Sequence, residues 1–415
     1  MGAKRALVIL LACAAALACL GGCREKKPPA KPAATASAPA GAITSLPAAL
    51  TEAIDDDHLV KVQRAINNGL GFLLSKQNAD GGWGFQPGAS HPALTAMAVK
   101  ALLRHPQYTP ASPPVSKGLG CLMKFRQGDG GFYVPKRGNK NYITSVAVMA
   151  LVEAGPEYRQ PLADAVKFLR GLQIVPGSKA PDGGEIGEKH PWTGGVSYGE
   201  HGRPDLSNEG MWMEALHEAG VPGDDPAMQR ALAFVKRLQN RTEGTEGQVF
   251  VIRGANDGGF VYAIGRKDGE FVAESKAESD DRGLRSYGSM TYTGFKSMLY
   301  ANVDRKDPRV RAAFDWIREY WRLDANPNMP QLRSRQGLFY YYHVFSKALR
   351  AWGQDVIPDK RGVKHNWREE LIDVLADIQA GDGSWVNADE ARWFEGNPVL
   401  ATCYAVLALE ETLGR

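Results

Sequence analysis

Apolar residues recur at three- and four-residue spacing from about residue 60 to residue 413, which predicts a succession of amphipathic α-helices. The helices alternate between two kinds. One kind is apolar on one face and ends at a glutamine, and the other is apolar nearly all round. The predicted helices of the second kind span residues 92–104, 142–153, 208–219, 289–301, 338–352 and 398–413. This alternation predicts helical hairpins, each with an outer first helix and a more buried second helix.

A glycine-rich turn separates the two helices of a hairpin, because glycine reaches left-handed backbone angles that end a helix. The copies run from Gln77 to Gly81-Gly82-Trp83, from Gln127 to Gly130-Gly131-Phe132, from Gln173 to Asp182-Gly183-Gly184, from Gln239 to Gly258-Gly259-Phe260 and from Gln379 to Gly383-Ser384-Trp385. A further helix at residues 312–324 lacks both the glutamine and the glycine pair. Six hairpins with buried second helices predict an all-α, single (α/α)6 toroid, since a closed ring exposes no end hairpin. An open solenoid is the alternative arrangement.

The glutamine followed by Gly-Gly-Trp or Gly-Gly-Phe resembles the QW repeat of the squalene–hopene cyclase and protein prenyltransferase superfamily. The resemblance extends from about residue 60 to residue 413. It implies that the glutamine amide binds backbone groups and that the aromatic ring covers it. We therefore expect structural roles for Gln77, Trp83, Gln127, Phe132, Gln379 and Trp385.

The chemistry that the resemblance implies has little support in the sequence. Cyclases of this type use an Asp-x-Asp-Asp acid, and the nearest string here ends in Asp280 and Asp281. These two residues would be catalytic only in a cyclase, and Arg282 and Arg285 beside them favour a solvated loop. The Asp-x-Cys pair of the prenyltransferase zinc site does not occur in this sequence. We predict no metal and no cofactor.

Polar residues in one register of the second helices are the predicted ligand-binding set, because a packed apolar core has no need of them. Counting back from the aligned leucines near the helix ends gives Thr95, Thr144, Glu209, Tyr292, Tyr342 and Thr402. Threonine can instead bond to nearby backbone, and tyrosine can close a core, so a structural role is the alternative. The long third loop adds Trp192, and the helix that follows it adds Trp212.

The candidate acid and base residues are Glu209, His201 and His343. A carboxyl group close to apolar Trp212 would have a raised pKa, as a general acid requires. His343 ends an aromatic run from Phe339 to Tyr342, of which some members must face the cavity and others the outer layer. His343 fits a buried structural histidine as well as it fits an acid or base.

The first residues have the pattern of a secretory signal, with Lys4 and Arg5 before an apolar run and small residues. The end of the run, Leu20-Gly21-Gly22-Cys23, resembles a bacterial lipobox, which implies cleavage before Cys23 and lipidation of its thiol. An ordinary signal peptide is the alternative. We predict a signal at residues 1–22, a lipidated Pro/Ala-rich tether at residues 23–47 and the toroid at residues 48–415. The predicted location is exported and membrane-anchored, on the outer membrane if the source is Gram-negative, because Arg24 follows Cys23.

Composition narrows the class of partner. The net charge of +4 over 415 residues is too small to attract nucleic acid, and 44% hydrophobic residues fit a globular protein. We predict a monomer that binds an apolar, isoprenoid-like ligand in the central cavity. The alternative is a diverged enzyme, either a terpene cyclase or a carbohydrate-active acid/base enzyme.

Overall fold

A computed structural model describes residues 53–199, 202–243 and 254–415. These residues form the helices α1 (Asp56–Ser75), α2 (Pro92–Arg104), α3 (Pro113–Met123), α4 (Lys140–Ala154), α5 (Arg159–Gly171), α6 (Leu206–Glu218), α7 (Pro226–Arg237), α8 (Gly288–Tyr300), α9 (Pro308–Glu319), α10 (Leu338–Trp352), α11 (Trp367–Asp377) and α12 (Pro398–Thr412). The even-numbered helices lie within two residues of the ranges predicted for the buried set. The predicted signal, Cys23 and the tether lie outside the described residues.

The even-numbered helices form a closed inner ring. Each packs against the next along the chain, and α12 packs against α2. The odd-numbered helices lie outside them, and α1 packs on both α11 and α12. The all-α toroid prediction is therefore confirmed, and an open solenoid is excluded because the first and last hairpins cover each other.

Three short antiparallel hairpins, which the sequence analysis did not predict, interrupt the helical order. Strands β1 (Ala263–Lys267) and β2 (Glu270–Glu274) pair between α7 and α8, followed by β3 (Ser279–Asp280) with β4 (Gly283–Leu284). Strands β5 (Val356–Pro358) and β6 (Lys364–Asn366) pair between α10 and α11. The segment with the first two hairpins contributes residues to the mouth of the ring, as described below.

Four of the glutamines join neighbouring hairpins. The Gln77 amide nitrogen donates to the carbonyls of Gly81 and of Pro114 in the next outer helix, both at 2.8 Å. Gln173 and Gln239 make the same pair of bonds two and three hairpins further on. Gln379 bonds the carbonyl of Ala65 in α1 at 3.0 Å, which ties the last hairpin to the first. Gln127 differs, since it bonds the carbonyls of Phe125 and Tyr133 within its own turn.

The third turn corrects the predicted position of the repeat. Gln173 bonds the carbonyl of Gly194 at 3.0 Å and not the predicted turn at Gly183 and Gly184. The Gly183 segment forms an exposed turn earlier in the same loop. The earlier Asp-Gly-Gly matches the residue types of the other turns. The turn that Gln173 binds lies eleven residues later, and it has Val196 where the other turns have an aromatic residue.

The first glycine of each glutamine turn is required by its backbone and by its surroundings. Gly81, Gly194 and Gly383 have φ near +90°, which disfavours residues with a Cβ. A Cβ on Gly194 would lie 2.1 Å from the carbonyl oxygen of Arg230 in the next outer helix. The turns therefore set how closely adjacent hairpins approach.

No helix in the described part of the chain is long and apolar enough to cross a membrane.

Cys121 and Cys403 are buried and form no disulfide bond with each other.

Candidate functional site

A cavity of about 440 Å³ lies at the mouth of the ring where the inner helices begin. Its walls come from the first two turns of all the even-numbered helices and from the loops that precede them. Ligands in proteins usually bind in concave sites of this kind.

Aromatic and aliphatic side chains dominate the cavity wall. The aromatic residues are Phe85, Tyr142, Tyr198, Tyr262, Tyr287, Tyr340, Trp393, Phe394 and Tyr404, and the aliphatic residues are Ala93, Leu94, Met97, Val134, Ile143, Met290 and Leu400. The charged residues on the wall are Arg137, Lys276 and Glu395. Such a lining suits a ligand with a large apolar body and few polar groups.

The floor of the cavity is aromatic. The Tyr142 and Tyr404 hydroxyls share a hydrogen bond of 2.8 Å across the ring. The His343 ring lies 5.4 Å from the Tyr404 ring, one helical turn further into α10 than Tyr340. This layer separates the cavity from the centre of the ring.

Beyond the floor, buried charges fill the ring centre. We call this group, comprising Lys100, Glu214, Glu218, Lys296, Lys347 and Glu411, the ion layer. Lys347 is central to it and lies 2.8 Å from Glu214, 2.6 Å from Glu218 and 3.4 Å from Glu411. Although burial opposes ionisation, Lys100 and Lys347 lower the pKa of Glu218 to about 2. The ion layer lies below the aromatic floor and contributes no residue to the cavity wall.

Glu395 is the carboxyl group on the described cavity wall, and it is 1% exposed. Its Oε1 accepts the Tyr340 backbone N–H at 2.9 Å, at the start of α10, and its Oε2 accepts the Asn387 side-chain amide at 2.9 Å. Burial raises the pKa of Glu395 to about 7, in spite of these bonds to its charged form. Glu395 therefore changes charge near neutral pH.

The segment before Glu395 places two strained aromatic residues at the cavity mouth. Trp393 and Phe394 have φ of 56° and 67°, a region that bulky residues rarely adopt. The two residues are 39% and 65% exposed. The Phe394 ring lies 5.0 Å from the ring of Phe85, so it joins the last hairpin to the first. We call residues 387–397 the rim loop.

The threonines predicted to bind ligand do not line the cavity. The Thr95 hydroxyl accepts the Trp83 backbone N–H at 3.0 Å, and Thr144 and Thr402 make the same bond to Phe132 and Trp385. All three side chains are fully buried against the glutamine turns. These bonds favour the structural alternative for the three threonines, because their helix face points to the outer layer.

Glu209 occupies the same register in the third hairpin and makes the equivalent bond. Its Oε2 accepts the Val196 N–H at 2.7 Å, and its side chain is fully buried away from the cavity wall. Burial raises its pKa well above the usual range, as expected for a carboxyl near Trp212. Glu209, predicted to be catalytic, is therefore outside the cavity lining and makes a structural bond to the turn.

The predicted aromatic ligand contacts are also structural. The Trp212 indole donates to the Leu169 carbonyl at 2.8 Å, as Trp83 and Trp385 do to Leu73 and Leu375 in their own hairpins. The indole of Trp192 donates to Ile264 in β1 at 2.7 Å.

The aromatic run on α10 divides as expected between the cavity and the outer layer. Tyr340 lines the cavity, whereas the Tyr342 hydroxyl donates to the Leu323 carbonyl at 2.6 Å. Tyr292 is buried against Tyr341 and Phe345 and does not line the cavity. Tyr292 and Tyr342, predicted to bind ligand, are therefore outside the cavity lining.

Asp280 and Asp281 lie on the hairpin of β3 and β4, outside the cavity lining. Asp280 accepts the Arg282 backbone N–H and pairs with the Arg282 side chain, which together lower its pKa. A lowered pKa is the opposite of what a proton-donating acid needs. The conditional cyclase assignment of these residues is therefore not supported by the geometry.

The structure describes one of the two candidate histidines. His201 lies outside the described residues. His343 is 4% exposed, does not line the cavity and lies 3.7 Å from Glu214 of the ion layer, while burial lowers its pKa. His343 is therefore a buried neighbour of the ion layer.

Sequence reasoning chose the wrong face of the inner helices. Residues two positions from the turn-binding residues line the cavity, as Tyr142, Ser207, Ser289 and Tyr340 do. Two residues correspond to about 200° around a helix, so these side chains point to the ring centre when their neighbours point outward. In the sequence, the cavity-facing residues can be found by counting two positions back from the residues that bind the turns.

One group in the described part of the chain has ligand atoms close enough for a metal, namely Asp55, His58 and Glu369. It lies at the start of the outer helix α1, where Asp55 already caps the helix by accepting the His58 N–H. It has no connection to the cavity lining.

Solved structures share the fold at low sequence identity. The α-1,6-mannanase GH76A from Salegentibacter sp. HEL1_6 matches with a TM-score of 0.53 and 9% identity, covering 84% of this chain and 99% of that chain. An inactive variant of it in complex with α-1,6-mannotriose matches with a TM-score of 0.54 and 8% identity. The type II terpene cyclase MstE from Scytonema matches with a TM-score of 0.48 and 14% identity, covering 86% and 99%. No family model and no curated protein matches the chain. What the comparisons establish is an α/α-toroid fold.

Proposed function

We propose that this protein binds a ligand with an apolar, isoprenoid-like body in the cavity at the mouth of its ring. The observation that carries the proposal is the cavity itself, of about 440 Å³, with apolar helix residues in its interior and aromatic residues at its rim. Each buried methylene of a ligand contributes about 0.8 kcal/mol, so an isoprenoid chain gains substantial affinity there. The glutamine turns further support a place in the squalene–hopene cyclase and prenyltransferase superfamily.

Binding of farnesol to the full chain tests the proposal. Ala93 is half-buried on the cavity wall, and we expect Ala93→Trp to fill the site and abolish binding. Ala163→Trp on the exposed face of α5 is the matched control and should bind as the wild type does. Native mass spectrometry of protein from its own host should also detect a bound lipid. The proposal fails if farnesol does not bind and no lipid travels with the protein.

The alternative is a diverged enzyme, and Glu395 is its candidate acid. Glu395 lies on the cavity wall with a pKa of about 7, which suits proton transfer at neutral pH. Most glycosidases use two carboxyl groups, whereas the described wall offers one, so we rank binding first. Turnover of squalene or of an α-1,6-mannan by the wild type, and its loss in Glu395→Gln, would favour the enzyme.

We further propose that Cys23 carries a lipid that anchors the protein to a membrane after export. The support is the signal pattern at residues 1–22 and the cysteine directly after it. The host should incorporate labelled fatty acid into the wild type and not into Cys23→Ser. Equal labelling of the two proteins would refute lipidation at this position.

A further inference from the structure

We infer that the ligand carries an anionic group, and that Lys276 and Arg137 bind this group at the rim of the cavity. The inference rests on the proposed function, because it assigns the polar end of the same ligand.

Lys276 lies between β2 and β3, half-buried on the cavity wall, with its ammonium 4.4 Å from the Tyr262 ring centre. It has no carboxylate within ion-pair distance among the described residues, although its segment is rich in pairs. These pairs join Arg203 with Glu274, Arg333 with Glu278, and both Arg282 and Arg285 with Asp280. Lys276 is thus the basic side chain of this segment that faces the cavity and lacks an ion-pair partner there.

Arg137 supplies a second positive charge from the loop before α4. Its guanidinium is exposed and makes no ion pair with any residue that the structure describes. Asn139, which follows it on the wall, has a left-handed backbone and makes no side-chain bond to the start of α4. Among the described residues, this part of the rim therefore has donors without an ion-pair or helix-capping acceptor.

The described part of the cavity wall does not neutralise these charges. Glu395 is the acidic side chain on the described wall, and both its oxygens accept bonds from Tyr340 and Asn387. His91, which also lines the cavity, has its pKa lowered by burial and by Arg137, so it favours the neutral form and adds no further positive charge. A half-buried cation beside apolar surface is costly until an anion pairs with it. Burial and Arg203 lower the pKa of Lys276, as expected for a cation that lacks its partner.

The chemical class that fits is an amphiphile with one anionic oxygen group, a carboxylate or a phosphate, on an apolar chain. The chain would lie along Leu94, Met97 and Met290, which belong to the helices. The anionic group would stay at the loops that carry Lys276 and Arg137. A neutral isoprenoid would fill the same apolar space and leave both cations unpaired.

Three probes with the same isoprenoid body test this inference on the full chain, namely farnesol, farnesoic acid and farnesyl monophosphate. We expect at least one anionic probe to bind about tenfold or more tightly than farnesol, with an affinity that falls as salt increases. Lys276→Met and Arg137→Gln should each bring the ratio of the anionic probe's affinity to that of farnesol close to one, mainly by weakening the anionic probe. Lys276→Arg should retain the wild-type ratio. The probe that gains more identifies the anion as a carboxylate or a phosphate.

Lys167→Met and Arg159→Gln, on exposed positions of α5, are matched controls that should leave all three affinities unchanged. The inference is overturned if farnesol binds as tightly as both anionic probes. It is also overturned if Lys276→Met weakens farnesol and the anions equally, since Lys276 would then act through packing alone. If none of the probes binds, the proposed function itself has failed, which is a different result.

Discussion

At the scale of single residues, one position in five of the six described inner helices accepts a backbone N–H of the preceding turn. Threonine does this in four hairpins, through the bonds of Thr95, Thr144, Thr291 and Thr402. In the third hairpin Glu209 reaches Val196 instead. Different side chains thus fill one structural role, which explains why a polar residue recurs on helices that are otherwise apolar.

Glu209 provides a direct test of that role. Because its pKa is raised well above the usual range, Glu209→Gln keeps the neutral shape and should change the free energy of unfolding by less than about 1 kcal/mol. Glu209→Ala removes the acceptor of the Val196 N–H and should cost about 1–3 kcal/mol. Urea unfolding measures both values, and farnesol affinity should be unchanged in Glu209→Gln. Loss of farnesol binding in a folded Glu209→Gln protein would return this residue to the binding site.

Gly194 tests the close approach of adjacent hairpins. Its positive φ and the Arg230 carbonyl leave no room for a Cβ, so Gly194→Ala should lower the free energy of unfolding by about 2 kcal/mol or more. Gly171 ends α5 with open space around it, and Gly171→Ala should be neutral or slightly stabilising. Equal effects of the two substitutions in urea unfolding would contradict this account of the turn.

At the scale of elements, the rim loop and α10 depend on each other. The loop supplies Glu395, whose carboxylate accepts an N–H at the start of α10, where a negative charge is favourable. In return, this contact holds Trp393 and Phe394 in strained conformations at the mouth of the cavity. A strained, aromatic segment at a binding site is where ligand entry is expected to be controlled.

The titration of Glu395 should make stability depend on pH. Its pKa is raised from 4.5 to about 7, so the folded protein takes up a proton that the unfolded chain does not hold between these values. The contribution of this group to stability is therefore present below pH 4.5 and is lost as the pH rises to about 7, by up to about 3 kcal/mol. The free energy of unfolding, measured with urea, should fall less between pH 5 and pH 8 for Glu395→Gln than for the wild type.

Asp389→Asn is the control for this comparison. Asp389 lies on the same loop with a side chain that is 79% exposed, and its substitution should leave the wild-type pH dependence intact. An identical pH dependence in Glu395→Gln and the wild type would show that Glu395 titrates normally.

At the scale of the whole molecule, the ring has an apolar cavity at one end and the ion layer at its centre. Charges from α2, α6, α8, α10 and α12 meet in the ion layer, so it joins helices that are far apart in the sequence. Burying ion pairs costs desolvation energy. In return the pairs specify how the helices pack, because a helix placed in another register would leave a buried charge unpaired.

Lys347 is the position at which the ion layer can be tested. Lys347→Met would leave Glu214, Glu218 and Glu411 without a shared cation, and we expect a loss of about 3–5 kcal/mol in the free energy of unfolding. Lys167→Met on the outer surface should change it by less than about 0.5 kcal/mol. A small effect of Lys347→Met in urea unfolding would mean that the three carboxylates are satisfied by their other partners.

The fold could be predicted because its determinants are local. Helix periodicity and the order of glutamine, glycine pair and aromatic residue are each encoded within about twenty residues, and they recur. Even there, the third turn was misplaced, because the loop holds two glycine pairs and only the packing of Gly194 on α7 distinguishes them.

The site could not be predicted because its determinants are distant in the sequence. Which face of an inner helix looks into the cavity depends on how the helix rotates against its neighbours, so Tyr142, Tyr340 and Tyr404 become visible as one floor only in the closed ring. Glu395 acquires its high pKa from burial beside α10. Lys276 has no ion-pair partner among the described residues, where Arg203 pairs with the nearby Glu274. The sequence by itself determined a ring of helical hairpins, since each turn is specified by short-range bonds. The tertiary structure alone decided what the ring can bind, since a cavity wall is made of residues that only long-range packing brings together.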